Sequence, residues 1–236
     1  MRYLATLLLL LGATKTYSQN ITATQLLDKA ISYHDPNNQW KSFNTTFLVV
    51  METPNSSDRK SSIHLNIPKE IFELEVEKDS VQYSYSFEKE KCTTSLNGSK
   101  KISEKDRKKY RLTCERGGLL RNYYTYLYGL PMKLKDPGTN LDPKVERKIF
   151  KGKEYLVLKV NYDEGVGDDI WYFYFDPTTF AMEVYQFYHD EQKGDGEYIL
   201  LKDIEEINGI KMPKTRAWYY NSDDKYLGTD ILNAIR

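Results

Sequence analysis

Only two cysteines and three histidines occur among the 236 residues, and this scarcity excludes most site chemistries at the outset. Cys92 and Cys114 have no clustered histidines, so no zinc set with the usual spacing exists. His34, His64 and His189 lie far apart in sequence, at an expected helix end, in an alternating strand and at a strand end. Surface or edge positions fit them better than ligand or general-base roles. The H-E-x-x-H, G-x-S-x-G, Walker and G-x-G-x-x-G patterns are all missing. Charge of one sign is missing too: 34 Lys+Arg balance 34 Asp+Glu, so no net field selects nucleic acid or an anionic surface, and partners must be argued locally.

Long hydrophobic runs are scarce as well. The mostly apolar Leu4–Leu11 follows a single basic residue, Arg2, and precedes small residues at Thr16 and Ser18. This is the pattern of a secretory signal peptide, too short to span a bilayer. Residues 1–18 are therefore expected to be removed, leaving 19–236 as one domain in the periplasm or outside the cell. No later segment reaches the roughly 18 apolar residues that a spanning helix needs. An even cysteine count in an exported chain favours a Cys92–Cys114 disulfide, with two separate buried thiols as the alternative.

What is present is periodicity. In "TQLLDKAIS" Leu26, Leu27, Ala30 and Ile31 fall on one helical stripe, with Thr22 or Thr24 as N-cap, and Pro36 ends the helix. From Trp40 the period drops to two. "FNTTFLVVMET", "SSIHLNI", "EIFELEVEK" and "SVQYSYSFEK" read as antiparallel strands, each wet on one face. The central stretch 102–131 is expected to hold two short helices broken at Gly117 and Gly118, the first capped at Ser103. Its second helix places Leu119, Leu120, Tyr123, Tyr124 and Leu127 at helical spacing. Seven further strands follow, separated by turns that include Asn208-Gly209, a type I′ hairpin signal.

One strand stands apart. "IWYFYF", Ile170–Phe175, is apolar or aromatic at every position. Alternation puts Trp171, Phe173 and Phe175 on one face and Ile170, Tyr172 and Tyr174 on the other. On a curved sheet the first set lines the concave side under the helices, and the second forms an outer surface whose hydroxyls reach water. The acidic stretches "DEGVGDD" and "DEQKGDGE" lack calcium-loop spacing and read as solvated hairpin loops. The basic run "SKKISEKDRKK" reads as the solvated side of a helix, with a docking patch for acidic headgroups or a membrane partner as the alternative.

The strand map brings out a family likeness. "IWYFYFDPTTFAMEVYQFY", followed by "GDGEYILLKDIEEINGIKMPKTRAWYY", resembles the LolA-like periplasmic lipoprotein-carrier superfamily. "AISYHDPNNQW" and "YGLPMKLKDPG" are similar to an uncharacterised family of exported Gram-negative bacterial proteins within it. The resemblance implies a mainly β (α+β) fold: a strongly curved antiparallel sheet forming an incomplete barrel, covered by a few short helices. It also implies an apolar cavity that receives acyl chains, and it carries over no catalytic residue.

The expected function is an exported, non-enzymatic, monomeric binding protein for a lipid, acyl chain or lipoprotein-like ligand. Trp171, Phe173, Phe175, Leu120, Tyr124 and Leu127 are the cavity candidates. A membrane-associated partner is expected, and neither cofactor, metal nor nucleic acid. A structural or adaptor β protein and a carboxylate-based hydrolase are the alternatives.

Overall fold

The computed structural model describes residues 21–235; the expected export signal lies outside them. Helix α1, Ala23–His34, starts at a reciprocal cap: Thr22 Oγ1 accepts from the Gln25 N–H, and the Gln25 side chain accepts from the Thr22 N–H. Each bond satisfies a donor that the first helical turn leaves free. Leu26, Leu27 and Ala30 are fully buried on its inner stripe. Burial of each leucine is worth roughly 1.5–3 kcal/mol relative to exposure.

Five strands follow as a meander: β1 (Asn44–Thr53), β2 (Ser56–Asn66), β3 (Ile71–Lys78), β4 (Val81–Glu88) and β5 (Lys91–Leu96). Helices α2 (Glu104–Lys109) and α3 (Cys114–Gly129) come next. The chain then forms β6 (Thr139–Leu141), β7 (Glu146–Phe150), β8 (Lys153–Tyr162), β9 (Ile170–Phe175), β10 (Met182–Tyr188), β11 (Glu197–Ile207), β12 (Ile210–Tyr220) and β13 (Tyr226–Ala234).

All thirteen strands belong to one antiparallel sheet in the order β5-β4-β3-β2-β1-β13-β12-β11-β10-β9-β8-β6, with β7 also on β8. The last strand returns to pair with the first, Val49 opposite Leu232, joining the two meanders. Strands β5 and β6 remain as unpaired edges, so the sheet is a curved half-barrel rather than a closed one. Asn208 and Gly209 both have positive φ, as the β11–β12 turn requires. Short β5 and β6 escape sequence reading, because "KCTTSL" is polar and β6 spans three residues.

The main core lies in the concavity, where α1 and α3 pack on the inward residues of both meanders. Helix α3 does not break at its glycines. The interruption falls at Tyr110–Thr113, and a new cap forms where Thr113 Oγ1 accepts from the Arg116 N–H. Gly117 is needed for contact instead: a Cβ there would sit 2.8 Å from the Tyr85 ring and 2.9 Å from that of Phe87. A disulfide joins Cys92 on β5 to Cys114 at the start of α3.

The outer face carries a second buried cluster of Tyr155, Val157, Tyr172, Tyr174 and Val184. This corrects the expected wet tyrosine surface, since Tyr172 is 9% and Tyr174 4% exposed. The cover comes from the β7–β8 hairpin. Phe150 reaches the rings of Tyr174 at 5.2 Å and Tyr198 at 5.3 Å, and Lys148 lies over Tyr172. The hydroxyls bond to protein groups: Tyr172 donates to Glu191, and Tyr174 donates to Gln186.

His34 is likewise not at the surface. Its ring is fully buried, Nδ1 donating to the Lys211 carbonyl at 2.6 Å and Nε2 accepting from the Met182 N–H at 2.9 Å. Both ring nitrogens thereby fasten α1 to β12 and β10. Burial lowers its pKa to about 4, so the imidazole is neutral at pH 7.

Candidate functional site

Helix α3 lies along the concavity without filling it, and its aromatic side chains shape the space that remains. Tyr126 and Tyr162 bond hydroxyl to hydroxyl, and the Tyr126 ring meets Trp171 edge-on at 5.6 Å. Trp171 stacks on Phe187 at 4.9 Å and on Phe173 at 5.9 Å. Tyr123 stacks on Trp218 at 6.4 Å. Together they border an open groove of about 1120 Å³, above the usual range for small-molecule pockets and suited to an extended apolar occupant. Exposed Leu119, Tyr123 and Val166 stand at its edge. The rim is polar, with Lys89 and Arg121, the Lys133–Asp136 ion pair, and Asp169 beside His189.

The six sequence candidates divide. Trp171 and Leu127 line the groove. Phe173 and Phe175 are fully buried core, and Tyr124 is 2% exposed, stacked on Phe72 and bonded to Ser61. Leu120 packs partly buried against the core. An alternating strand cannot distinguish a residue that lines a groove from one beneath it, because both point inward. Phe187, Trp218, Tyr126 and Tyr162 line the groove as well and were missed. For Phe187, Trp218 and Tyr162 the signal was inward alternation on β10, β12 and β8, whereas Tyr126 lies on α3 itself, and choosing any of them needs the position of that helix.

A polar row crosses the sheet beneath this helix. Register places Arg59 on β2 and Asp230 on β13 either side of Met51 on β1, with Arg216 on β12 opposite Asp230. Asp230 accepts from Trp218 Nε1 at 3.1 Å, and Arg216 donates to the Pro213 carbonyl at 2.8 Å. Burial raises the Asp230 pKa against the opposing pull of Arg216 and Arg59. Trp218 thus bonds to this row and lines the groove.

The tyrosines at the groove stay protonated, while the rim carries ionisable groups, His189, Asp169 and Glu197 among them. Burial pushes the Tyr162 hydroxyl up to about 12 and the Tyr128 hydroxyl well above its ordinary value, so both remain neutral donors at pH 7. At the rim, His189 Nδ1 is 2.5 Å from Asp169 Oδ1, and this hydrogen bond raises the imidazole pKa. Neither Ser nor Cys lines the groove to serve as a nucleophile beside that pair. Among the described residues no group of three or more His, Cys, Asp or Glu is placed to hold a metal.

The open antiparallel half-barrel with a helix in its concavity is a LolA-like fold. The chain belongs to the family described as "Family of unknown function (DUF6503)", which matches residues 3–233. Among solved structures it is similar to a LolA superfamily protein from Nitrosomonas europaea, at 11% identity and TM-score 0.52, covering 92% of this chain and 94% of that one. It is also similar to a DUF1329 family protein from Desulfovibrio piger, at 10% identity and TM-score 0.51, covering 89% and 91%. At such identities the likeness is one of fold. No curated protein matches the chain significantly.

Proposed function

We propose that the protein is an exported, non-enzymatic carrier that holds a lipid or acyl chain in the groove beside α3. The observation that carries this reading is the groove's aromatic wall: Trp171, Phe187 and Trp218 face an open space of about 1120 Å³ although an ample core lies beneath them. Such a wall gains roughly 0.8 kcal/mol for each ligand CH₂ withdrawn from water. Leu127 and Trp171 are the contact residues kept from the sequence candidates, with Phe187, Trp218, Tyr126 and Tyr162 added.

An export signal over residues 1–18 and a periplasmic location accompany the proposal. The leader pattern in the sequence and the similarity in fold to a LolA superfamily protein support them. Among the described residues, no helix is long and apolar enough to cross a membrane.

Native mass spectrometry of protein purified from its own host tests the reading, together with titration of a fluorescent fatty acid. The expected result is co-purified lipid mass, or quenching that Trp171→Ala weakens. Clean apo protein that also fails to bind the fatty acid would overturn it.

A further inference from the structure

The charges of this protein balance overall but not locally. In the second half of the chain most lysines are paired with carboxylates, among them Lys151 with Asp224, Lys153 with Asp176 and Glu183, Lys159 with Glu191, and Lys193 with Asp190, while Lys202, Lys211 and Lys225 are not paired among the described residues. On and around α2 the pattern is reversed. Lys100, Lys101, Lys105, Lys108, Lys109 and Arg111 are all exposed, and none pairs with a carboxylate among the described residues. Glu104 and Asp106 are the only acidic residues within 100–111. Seven Lys and Arg against these two carboxylates leave the face net positive, and its field extends to about a Debye length, roughly 8–10 Å at physiological salt.

The segment is also held in place. Ser103 caps α2, the Arg107 guanidinium turns inward to donate to the Leu112 carbonyl at 2.8 Å, and the Cys92–Cys114 disulfide ties the start of α3 to β5. Apolar surface adjoins the charges. Arg107, Lys108, Arg111 and Arg116 border a hollow together with Glu104, Glu115 and Leu119. Leu119, 56% exposed, borders the groove as well. The cationic face and the groove thus meet at one exposed leucine, next to a rim where Arg121 and Lys89 stand with Glu70 and Glu90.

We infer that this face, Lys100–Arg111 with Leu119, docks the protein on an anionic lipid bilayer and brings the groove mouth to the membrane surface. Charge complementarity selects the occupant. Lys and Arg are drawn to anionic headgroups, and a leucine at the edge of the patch enters the headgroup–acyl boundary. An acidic protein would use the cations but would leave the leucine and the continuity with the groove without a role. The inference adds the partner surface to the carrier reading and rests on it for its purpose, although the charge arrangement stands independently.

The test is co-sedimentation of the exported protein with vesicles of equal phosphatidylglycerol and phosphatidylcholine, against vesicles of phosphatidylcholine alone. The variant is the triple substitution Lys105→Glu, Lys108→Glu, Lys109→Glu, whose side chains point to solvent. Expected are binding to the anionic vesicles, at least tenfold weaker binding to the neutral ones, and a similar loss in the triple variant and at high salt. Equal binding to both vesicle types, or anionic binding that the triple variant retains, overturns the inference. So does failure to bind vesicles while an acidic polypeptide binds, which would assign the face to a protein partner. Fatty-acid titration of the same samples separates the two readings. A triple variant that still takes the fatty acid is folded and tests the face alone, whereas loss of fatty-acid binding in Trp171→Ala with vesicle binding intact tests the groove alone.

Discussion

The Arg216 guanidinium lies 4.0 Å from the centre of the Tyr128 ring, and its residue stands directly opposite Asp230 on the neighbouring strand. Both charged residues are almost wholly enclosed, at 1% and 4% exposure. A buried charge stripped of its partner destabilises strongly, whereas an apolar pair of similar volume is often neutral. Arg216→Met should therefore cost about 3 kcal/mol, and Arg216→Met with Asp230→Leu should cost clearly less than the sum of the single changes. Urea unfolding of the two single variants and the double variant measures the coupling.

His34 should make the protein acid-sensitive. Its folded pKa of about 4 lies below the ordinary 6.5, so between these values the unfolded chain binds the extra proton. The stability it contributes is complete above about pH 6.5 and falls as pH drops toward 4, by about 3 kcal/mol in total. Denaturant midpoints at pH 7.5 and pH 4.5 should differ accordingly. His34→Gln should be less stable at pH 7.5 but show a smaller drop, and an equal drop would place the acid sensitivity elsewhere.

The aromatic strand β9 should separate binding from stability residue by residue. Trp171 lines the groove, so Trp171→Ala should reduce fatty-acid affinity at least several-fold with only a moderate loss of stability. Phe173 is fully buried beneath it, and Phe173→Ala should cost about 3–5 kcal/mol. Tyr172→Ala should also cost stability, because Tyr172 is buried under the β7–β8 hairpin, but should leave ligand affinity unchanged. Thermal unfolding and fluorescent-probe titration of the three variants distinguish these outcomes.

The Cys92–Cys114 bond encloses a loop with a sequence separation of 22 residues. Closing a loop of that size restricts the unfolded chain and is worth about 3 kcal/mol. Replacing both cysteines with serine should lower stability by about that amount. Limited proteolysis should then cut first within 100–113, since this segment is exposed and tied at its far end by the disulfide. Cleavage that begins elsewhere would show that capping and the Arg107 bond hold α2 without it.

Local patterns were legible where one physical rule dominates. The α1 stripe, four strands of the first meander, the seven strands after residue 144 and the Asn208-Gly209 turn follow from periodicity and turn chemistry. The inward and outward sets of β9 were correctly divided, because neighbouring side chains on a strand must alternate. The α3 break was misplaced: glycine is a poor helix former, but here it is retained for the close approach to Tyr85 and Phe87. His34 looked peripheral at a helix end, and its burial depends on β10 and β12, nearly 150 residues or more away.

The sequence alone determined most of the strands and helices, though not β5 or β6, the antiparallel character of the sheet and which residues of each element face the same way, because these depend on neighbours a few positions apart. Tertiary structure decided which inward residues became groove and which became core, that Tyr172 lies under a hairpin, and that Arg59, Asp230 and Arg216 stand in one row. Those outcomes depend on pairings such as Val49 with Leu232 and on the seating of α3 against strands from both meanders. Contacts so distant in sequence leave no local periodicity behind.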